Sequence, residues 1–367
     1  MKKSLLIYGA GAIGRGFIPW VFDSNEYDFY YVENNFELKE KLNKHKKFIS
    51  YKTNQDTYEE KVVNIKECFS PGEEKEVIKK ITAVITAIGP RNILSLQEIL
   101  SNTKIPIICC ENDSSIPNLL SSVIKNPYVV FAIPDVITSN TAPQKLLEKD
   151  PNSIVTENGV CYIDDSVSFL GGEAKYVSKK ELENQWLAKL YIHNTPHCIA
   201  AYLGSLVGVT YLHEAMQNKL IKKIVANAMN EMVEMLLKKF SMDKEFVKWY
   251  SEKELKRFEN ELLFDPIYRV AREPFRKLAP NERLIGAAQL CLSQGIIPEN
   301  ILLGIMSAFA YNNKIDEDSN ITYLINSISS EDFLRIIIDL NPTEALYEIL
   351  LIEWDKNMKK IEMLKNE

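Results

Sequence analysis

A glycine-rich segment near the amino terminus constrains the fold of this chain more than any other feature of its sequence. It has the spacing GxGxxG, follows a short apolar run at residues 4–8, and precedes a predicted helix over residues 15–22. In such a unit the first glycine permits a tight turn, the second lets the main chain approach a pyrophosphate, and the third lets the helix pack on the strand. The N–H groups at the start of the helix then face the phosphate charge. We therefore predict a dinucleotide-binding loop made of Gly9, Ala10, Gly11, Ala12, Ile13 and Gly14.

An acidic residue at the end of the next apolar run supports this prediction. The run at residues 29–32 is followed by Glu33, 19 residues after Gly14. A carboxylate in this place accepts hydrogen bonds from both ribose hydroxyls of NAD and repels the 2′-phosphate of NADP. We expect NAD as the cofactor. The alternative is a glycine turn followed by an unrelated acid, but it requires the strand, the helix and the acid to match by coincidence.

The order of the remaining segments predicts two domains. Further short apolar runs at residues 83–87, 105–109 and 129–133 are separated by helical segments, such as those at 92–101 and 117–125. This alternation predicts a Rossmann-type, doubly wound parallel sheet with helices on both faces. Beyond about Lys180 only helical spacing appears, at residues 214–240, 244–263, 283–293, 299–312 and 343–364. We expect a dinucleotide-binding domain over residues 1–185 and a mostly α-helical substrate and catalytic domain over residues 186–367.

Composition restricts the class of protein. A net charge of −6 gives no global attraction to nucleic acid or to an anionic membrane. The first apolar run is too short for a signal peptide, and no window approaches the roughly 20 apolar residues of a membrane span. The six cysteines are scattered and form no CxxC pair, which favours buried free thiols in a reducing compartment. We expect a cytoplasmic protein with neither nucleic acid nor membrane as a partner.

A second cluster of polar residues has the chemistry of metal-free alcohol oxidation. Lys189, His193 and His197 lie four residues apart, and Asn194 lies near the edge of the face they share on a continuous helix. A lysine removes a hydroxyl proton, an amide stabilises the oxyanion, and a histidine orients the substrate or the lysine. Pro196 interrupts this argument, because proline is tolerated only in a first helical turn. Two alternatives stay open: a surface group, and a zinc pair at His193 and His197 that lacks an evident third ligand.

Five sequence segments together resemble a known family. The similarity spans about residues 4–310 and appears in the same order as in the polyol-specific long-chain dehydrogenase/reductase family. The segments are the loop and its continuation to Phe17, Cys110-Glu111-Asn112, the motif K-x4-N-x2-H with the following Ala200–Gly204, Arg257–Asn260, and the basic stretch Arg269–Arg283.

The resemblance implies particular roles and an absence of metal. Lys189 would be the acid/base, Asn112 and Asn194 would bind the reacting oxygen, and His197 would position the lysine or the hydroxyl. Asp135 would contact the substrate. The chain departs from the family at three positions: Val136 replaces a common arginine, Pro196 a common glycine, and Ala12 a common asparagine.

The basic stretch gives the leading hypothesis for the substrate. Phosphate requires a cationic cluster, because arginine forks match its oxygens, and the candidates are Arg272, Arg276, Lys277 and Arg283. The resemblance implies a polyol substrate, and this cluster adds a place for a phosphate. Together they lead us to expect NAD-dependent interconversion of a polyol phosphate, such as mannitol 1-phosphate, and a ketose phosphate, such as fructose 6-phosphate. The alternatives are an unphosphorylated polyol or a hexuronate as substrate, a solvated helix face in place of a phosphate site, and a non-catalytic NAD(H) sensor.

Overall fold

The computed structural model describes residues 2–54, 56–101, 103–139, 141–313 and 321–365. The chain forms two compact units. The first comprises Met1–Trp186 together with Leu262–Phe264, and the second comprises Leu187–Glu261 together with Asp265–Glu367. The short return of the chain to the first unit is held by two hydrogen bonds, from Tyr58 Oη to the carbonyl of Leu262 (2.7 Å) and from Ser139 Oγ to the carbonyl of Phe264 (2.8 Å).

An eight-stranded sheet forms the centre of the first unit, in the order β11-β10-β8-β7-β6-β1-β2-β5. Six neighbouring strands of this sheet are parallel, in the order β5-β2-β1-β6-β7-β8. This is the strand order of a Rossmann fold. Strand β10 lies between β8 and the edge strand β11, and it runs antiparallel to β8. The strands are β1 (Lys3–Tyr8), β2 (Tyr27–Val32), β5 (Glu67–Phe69), β6 (Ala83–Thr86), β7 (Ile107–Cys109), β8 (Val129–Asp135), β10 (Val160–Asp164) and β11 (Lys175–Val177). The predicted fold class is confirmed.

Both faces of this sheet are covered, as a doubly wound fold requires. Leu5 and Ile7 of β1 belong to one buried cluster, whereas Leu6 and Tyr8 belong to another. Because side chains alternate along a strand, the two clusters lie on opposite faces. The helices of this unit are α1 (Ile18–Val21), α2 (Phe36–His45), α3 (Gln97–Leu100), α4 (Ile116–Ile124), α5 (Gln144–Lys149) and most of α6 (Lys179–Ala188). Short 3-10 turns lie at Glu73–Glu76, Ile78–Lys80, Pro90–Leu96 and Asp165–Leu170.

A second, three-stranded sheet was not predicted from the sequence. It contains β3 (Lys47–Thr53), β4 (Tyr58–Asn64) and β9 (Ile154–Glu157), in the order β4-β3-β9. Its pattern is weak in the sequence because β4 is mostly polar and β9 joins β3 from far along the chain. Ser50 of β3 aligns with Ile154 of β9, and its Oγ donates to the carbonyl of Gly16 (2.8 Å). This sheet therefore packs beside the segment that follows the glycine-rich loop.

The described residues of the second unit form helices joined by loops and contain no β-strand, apart from an isolated bridge between Tyr211 and Pro266. Helix α7 (Thr195–Leu206) is its centre and contacts α8 (Leu212–Gln217), α9 (Lys219–Phe240), α11 (Ile267–Ala271) and α14 (Glu299–Phe309). The other helices are α10 (Lys244–Phe258), α12 (Pro274–Lys277), α13 (Ile285–Ser293), α15 (Ile321–Ile325), α16 (Ser330–Asp332), α17 (Ala345–Ile352) and α18 (Trp354–Lys365). Every residue from Thr195 to Gly204 is buried.

Two of the predicted helices divide into shorter helices, and a third, predicted over residues 244–263, ends at Phe258. The segment at residues 214–240 divides at Asn218, whose side chain accepts hydrogen bonds from the N–H groups of Leu220 and Ile221 and so begins α9. Asparagine at this position satisfies N–H groups that a helix start leaves unpaired. The segment at residues 343–364 divides into α17 and α18. Apolar spacing continued across both interruptions, so it gave no sign of them.

Candidate active site

The glycine-rich loop has the geometry that its spacing predicts. Gly9 has a φ of +93°, and an added Cβ would lie 2.4 Å from the carbonyl oxygen of Ala87. A Cβ on Gly14 would lie 1.9 Å from the carbonyl oxygen of Gly9. Gly11 differs from both, because a Cβ there would meet nothing within 4 Å. Gly9 and Gly14 thus permit the turn and the close packing, while the main chain at Gly11 borders open space, as the close approach of a ligand requires.

Glu33 holds the glycine-rich loop by a hydrogen bond. Directly after β2, its Oε2 accepts a hydrogen bond from the N–H of Ala10 (2.8 Å) and its Oε1 from the N–H of Asn35 (2.8 Å). A carboxylate offers about four acceptor sites, so two remain for hydroxyl groups. Ala12 and Ile13 are half-buried and begin a π-helical turn, Ala12–Phe17. These residues fit the adenosine end of NAD.

Glu111 is a buried residue of this region that our sequence reasoning did not single out. Its carboxylate accepts hydrogen bonds from the N–H groups of Ile88 (3.0 Å) and Gly89 (2.8 Å), and burial raises its pKa. It therefore fixes the loop that leaves β6 beside Gly9. Asn112 follows it, half-buried, three residues after β7 ends, and Asp135 is the buried last residue of β8.

The K-x4-N-x2-H motif begins in a π-helical turn of the second unit. This turn spans Lys189–Asn194 and is followed directly by α7, in which Pro196 occupies the first turn. The backbone stays helical at Ala188 and Thr195, so the proline does not break the chain direction. Because proline has no N–H to donate, a locally wider turn is an expected accommodation, and such turns are frequent at functional sites. Lys189, Asn194 and His197 therefore lie on consecutive helical turns.

Two buried histidines on this segment are each hydrogen bonded to a carboxylate. His193 Nδ1 lies 2.5 Å from Glu254 Oε2, and His197 Nε2 lies 3.0 Å from Asp265 Oδ2. Each carboxylate also pairs with an arginine. Those partners are Arg257 for Glu254, and Arg269, whose Nε lies 2.8 Å from Oδ1, for Asp265. Phe258 stacks on the ring of His197 with centroids 5.0 Å apart. Within the described residues no group of three His, Cys, Asp or Glu side chains is arranged to hold a metal.

The protonation states of the second pair follow from burial. Burial lowers the pKa of His197, and the nearby Asp265 only partly opposes this effect. For Asp265, burial acts to raise the pKa, but the charge of Arg269 and the hydrogen bond from His197 outweigh it, so the pKa is lowered. An ionised Asp265 facing a neutral His197 must accept the Nε2 proton. Nδ1 of His197 is then left with a lone pair, and none of the described residues hydrogen bonds to it.

The basic stretch divides into exposed and buried cations. Arg272 is exposed, and Arg276 pairs with Glu273 (3.2 Å) and Glu282 (3.5 Å). Lys277 is buried, and its amine donates to the carbonyls of Val270 and Arg272; burial and the charge of Arg283 lower its pKa.

Arg283 is the buried cation with an unused donor. It is only 5% exposed, its Nε lies 3.1 Å from Glu282 Oε2, and its buried Nη2 has no partner among the described residues. The solvated-face alternative is therefore wrong for Lys277 and Arg283.

Comparison with known proteins identifies the family. The family model for the mannitol dehydrogenase Rossmann domain matches residues 3–131, and that for the mannitol dehydrogenase C-terminal domain matches residues 182–334. The mannitol-1-phosphate 5-dehydrogenase of Clostridium acetobutylicum is 33% identical over 341 residues, covering 85% of this chain and 88% of that protein. The chain belongs to the mannitol dehydrogenase family. The Thermoanaerobacter pseudethanolicus protein of the same name is 31% identical over 335 residues, covering 84% of this chain and 86% of its own length.

Two solved structures share the fold of this chain. A Pseudomonas fluorescens mannitol 2-dehydrogenase, in a ternary complex with NAD and D-mannitol, matches with a TM-score of 0.76. It is 14% identical, and the match covers 100% of this chain and 94% of that one. A D-sorbitol dehydrogenase matches with a TM-score of 0.70 and 14% identity, covering 98% and 95% of the two chains.

None of the described helices is both long and apolar enough to cross a membrane.

Sequence reasoning missed both carboxylates that hold the histidines. A signal for Glu254 was present, because it lies on the same face of α10 as the buried Val247, Tyr250 and Arg257. A carboxylate on an apolar stripe is rarely buried unless it is paired. Asp265 gave no such signal, since it lies between helices and its partner His197 is 68 residues away in sequence.

Proposed function

We propose that this mannitol dehydrogenase family member interconverts mannitol 1-phosphate and fructose 6-phosphate, using NAD and no metal. The observation that carries the proposal is the helical segment from Lys189 to His197, on which a base, an amide donor and a carboxylate-held histidine occupy consecutive turns. The relatives that bear the name mannitol-1-phosphate 5-dehydrogenase, at 33% and 31% identity, support this choice of substrate.

The glycine-rich loop and Glu33 would hold the cofactor. Gly11 would leave room for the pyrophosphate. The remaining lone pairs of Glu33 would accept hydrogen bonds from the hydroxyl groups of the adenosine ribose. NAD, when bound, takes up the hydride from the carbon that carries the hydroxyl group. The carboxylate of Glu33 disfavours a 2′-phosphate at this position, which is the reason for NAD rather than NADP.

The proton and the oxygen would be handled by Lys189, Asn194 and Asn112. In the oxidative direction the uncharged Lys189 amine accepts the hydroxyl proton while the C–H electron pair leaves as hydride, and the carbon–oxygen bond becomes a ketone. The amides of Asn194 and Asn112 donate to the oxygen as its negative charge develops. His197 would accept a hydrogen bond through Nδ1, from the hydroxyl or from the lysine, because its Nε2–H already donates a hydrogen bond to Asp265.

The buried end of the basic stretch would bind the phosphate. Arg283 offers the unpartnered Nη2. Arg276 pairs with Glu273 and Glu282, and a bound phosphate would compete with these two carboxylates for its guanidinium. Lys277 adds positive charge, although two backbone carbonyls already occupy its amine. The buried Asp135 and the exposed Arg272 stay candidate substrate contacts on the strength of the resemblance and of the basic stretch.

One observation favours a second candidate, an unphosphorylated polyol. Arg276 pairs with Glu273 and Glu282, and Arg283 also contacts Glu282. Lys277 donates to backbone carbonyls, so many of the hydrogen-bond donors of these three cations already have partners. A neutral sugar alcohol needs no surplus of positive charge. A hexuronate, by contrast, would use the same arginine that a phosphate uses.

Turnover measured side by side tests the proposal. Mannitol 1-phosphate, mannitol and a ketouronate are each assayed with NAD and with NADP, following the reduced nicotinamide by absorbance in both directions. We expect the highest kcat/KM with mannitol 1-phosphate and NAD. A higher kcat/KM with mannitol than with mannitol 1-phosphate would show that the substrate is the unphosphorylated polyol. Tight NADH binding without turnover of any of these compounds would instead indicate a non-catalytic sensor.

A further inference from the structure

Arg15 is a buried cation directly after the glycine-rich loop. It lies one residue beyond Gly14 and is 8% exposed. Its Nε donates to the carbonyl of Ala10, its Nη1 donates to the carbonyl of Asn152, and its guanidinium lies 5.7 Å from the centre of the Phe48 ring. The side chain therefore ties the middle of the loop to the segment that leads into β9.

This burial has an electrostatic cost that the protein itself does not offset by an ion pair. Among the described residues no carboxylate lies within ion-pair distance of Arg15, and Glu33 and Asp150 act on its charge only from further away. Burial lowers its pKa as a consequence. A buried guanidinium that has only carbonyl partners retains its full positive charge, and an unpaired buried charge is unfavourable.

The peptide units around Ala10 are fixed from two sides. Glu33 accepts the N–H of Ala10, and Arg15 donates to its carbonyl oxygen. The Ala10 carbonyl is thereby held by a buried side chain, whereas a Cβ on the next residue, Gly11, would meet nothing within 4 Å. We expect an anion at Gly11 to meet the N–H groups of the helix start, with the positive charge of Arg15 held nearby through Ala10.

We propose that Arg15 is a positioning residue for the cofactor, and that the diphosphate of the bound dinucleotide is the counter-charge its guanidinium lacks. The inference rests on the proposed dinucleotide site but not on the identity of the polyol. Arg15 acts through the Ala10 carbonyl, which keeps the loop in its binding conformation, and through its charge. Removing the charge should therefore weaken the binding of ligands that carry the diphosphate, while the protein stays folded.

Binding measurements on the full chain test this role without any substrate. Dissociation constants for NADH are measured by fluorescence titration and those for ADP-ribose by calorimetry, together with the melting temperature. We expect Arg15→Met to raise both dissociation constants by about tenfold or more, the loss that one charge-assisted interaction represents. Arg15→Lys restores the charge and should recover most of this loss. Should Arg15→Met fail to fold, Arg15→Gln replaces it with the same expectation.

Lys61→Met is the matched control. Lys61 is a half-buried cation of the same unit that pairs with Asp23 (2.9 Å) and does not contact the loop, so its removal should leave both constants unchanged. The inference is overturned if folded Arg15→Met binds both ligands within about twofold of the wild type, or if Arg15→Lys binds as weakly as Arg15→Met. If the wild-type protein binds neither ligand, the dinucleotide site itself is wrong, and this inference falls with it.

Discussion

His197 donates a hydrogen bond from Nε2 to Oδ2 of Asp265 across 3.0 Å, and both residues are buried. Asp265 is in turn hydrogen bonded to Arg269 through its other oxygen. This chain fixes the tautomer of His197, because the ionised carboxylate accepts the Nε2 proton and leaves Nδ1 as an acceptor. The same arrangement makes the stability of the second unit sensitive to pH.

Acid should destabilise the folded protein through His197. Burial lowers the pKa of His197, so below its ordinary value near 6.5 the unfolded chain binds a proton that the folded chain does not. This contribution to stability is fully present above about pH 6.5 and is lost as the pH falls from there toward the lowered folded value. Thermal unfolding of the wild type and of His197→Gln between pH 8 and pH 5 measures it. Between pH 8 and pH 5 the melting temperature of the wild type should fall further than that of His197→Gln. If the two melting temperatures fall in parallel, His197 is not the group that titrates.

Lys189→Ala should abolish most of the activity without affecting the cofactor. As the proposed proton acceptor, Lys189 should contribute about 10²–10⁴-fold to kcat, the usual range for general acid–base catalysis. The dissociation constant for NADH should stay the same, because the glycine-rich loop belongs to the first unit. Lys180→Ala, which removes an exposed lysine of the preceding helix, is the control. Near-normal kcat in Lys189→Ala would show that another group moves the proton.

Glu33→Ala should narrow the preference for NAD but also weaken both cofactors. Removing the carboxylate relieves the repulsion of a 2′-phosphate, which we estimate at roughly 1–3 kcal/mol. It also removes the acceptor of two N–H groups, so the loop loses its hydrogen bond at Ala10 and the start of α2 loses the one at Asn35. Dissociation constants for NADH and NADPH are compared in Glu33→Ala and in Glu37→Ala, an exposed glutamate of α2. An unchanged ratio of the two constants in Glu33→Ala would contradict the role of this carboxylate.

Arg283→Ala should raise KM for a phosphorylated substrate. Its unpartnered Nη2 is the donor we assign to the phosphate, and a charged hydrogen bond of about 1.5–3 kcal/mol corresponds to roughly 10–100-fold in affinity. The dissociation constant for NADH should not change. Arg335→Ala removes an exposed arginine paired with Asp332 and serves as the control. If Arg283→Ala leaves KM for mannitol 1-phosphate unaltered, Arg283 does not bind the phosphate.

Local patterns in the sequence were sufficient for the fold class. Glycine spacing, the apolar runs of the parallel strands and Glu33 all depend on residues close together in the chain, and the structure gives them the predicted geometry. Helical spacing likewise identified the second half as helical. Where helices start and stop was less predictable, since the interruption at Asn218 depends on a side-chain hydrogen bond and not on the apolar pattern.

The sequence by itself therefore determined the fold class and the conformation of the glycine-rich loop, and it predicted a catalytic role for the segment from Lys189 to His197. Only the tertiary structure decided which residues hold that segment and which basic side chains are buried. Periodicity shows which face of a helix is apolar, but it does not show which distant element covers that face. Glu254 and Asp265 lie 61 and 68 residues from the histidines they bind, and Ser50 and Ile154 pair across most of the first unit. Such pairings are fixed by packing and by the need to satisfy buried charges, which no local pattern records.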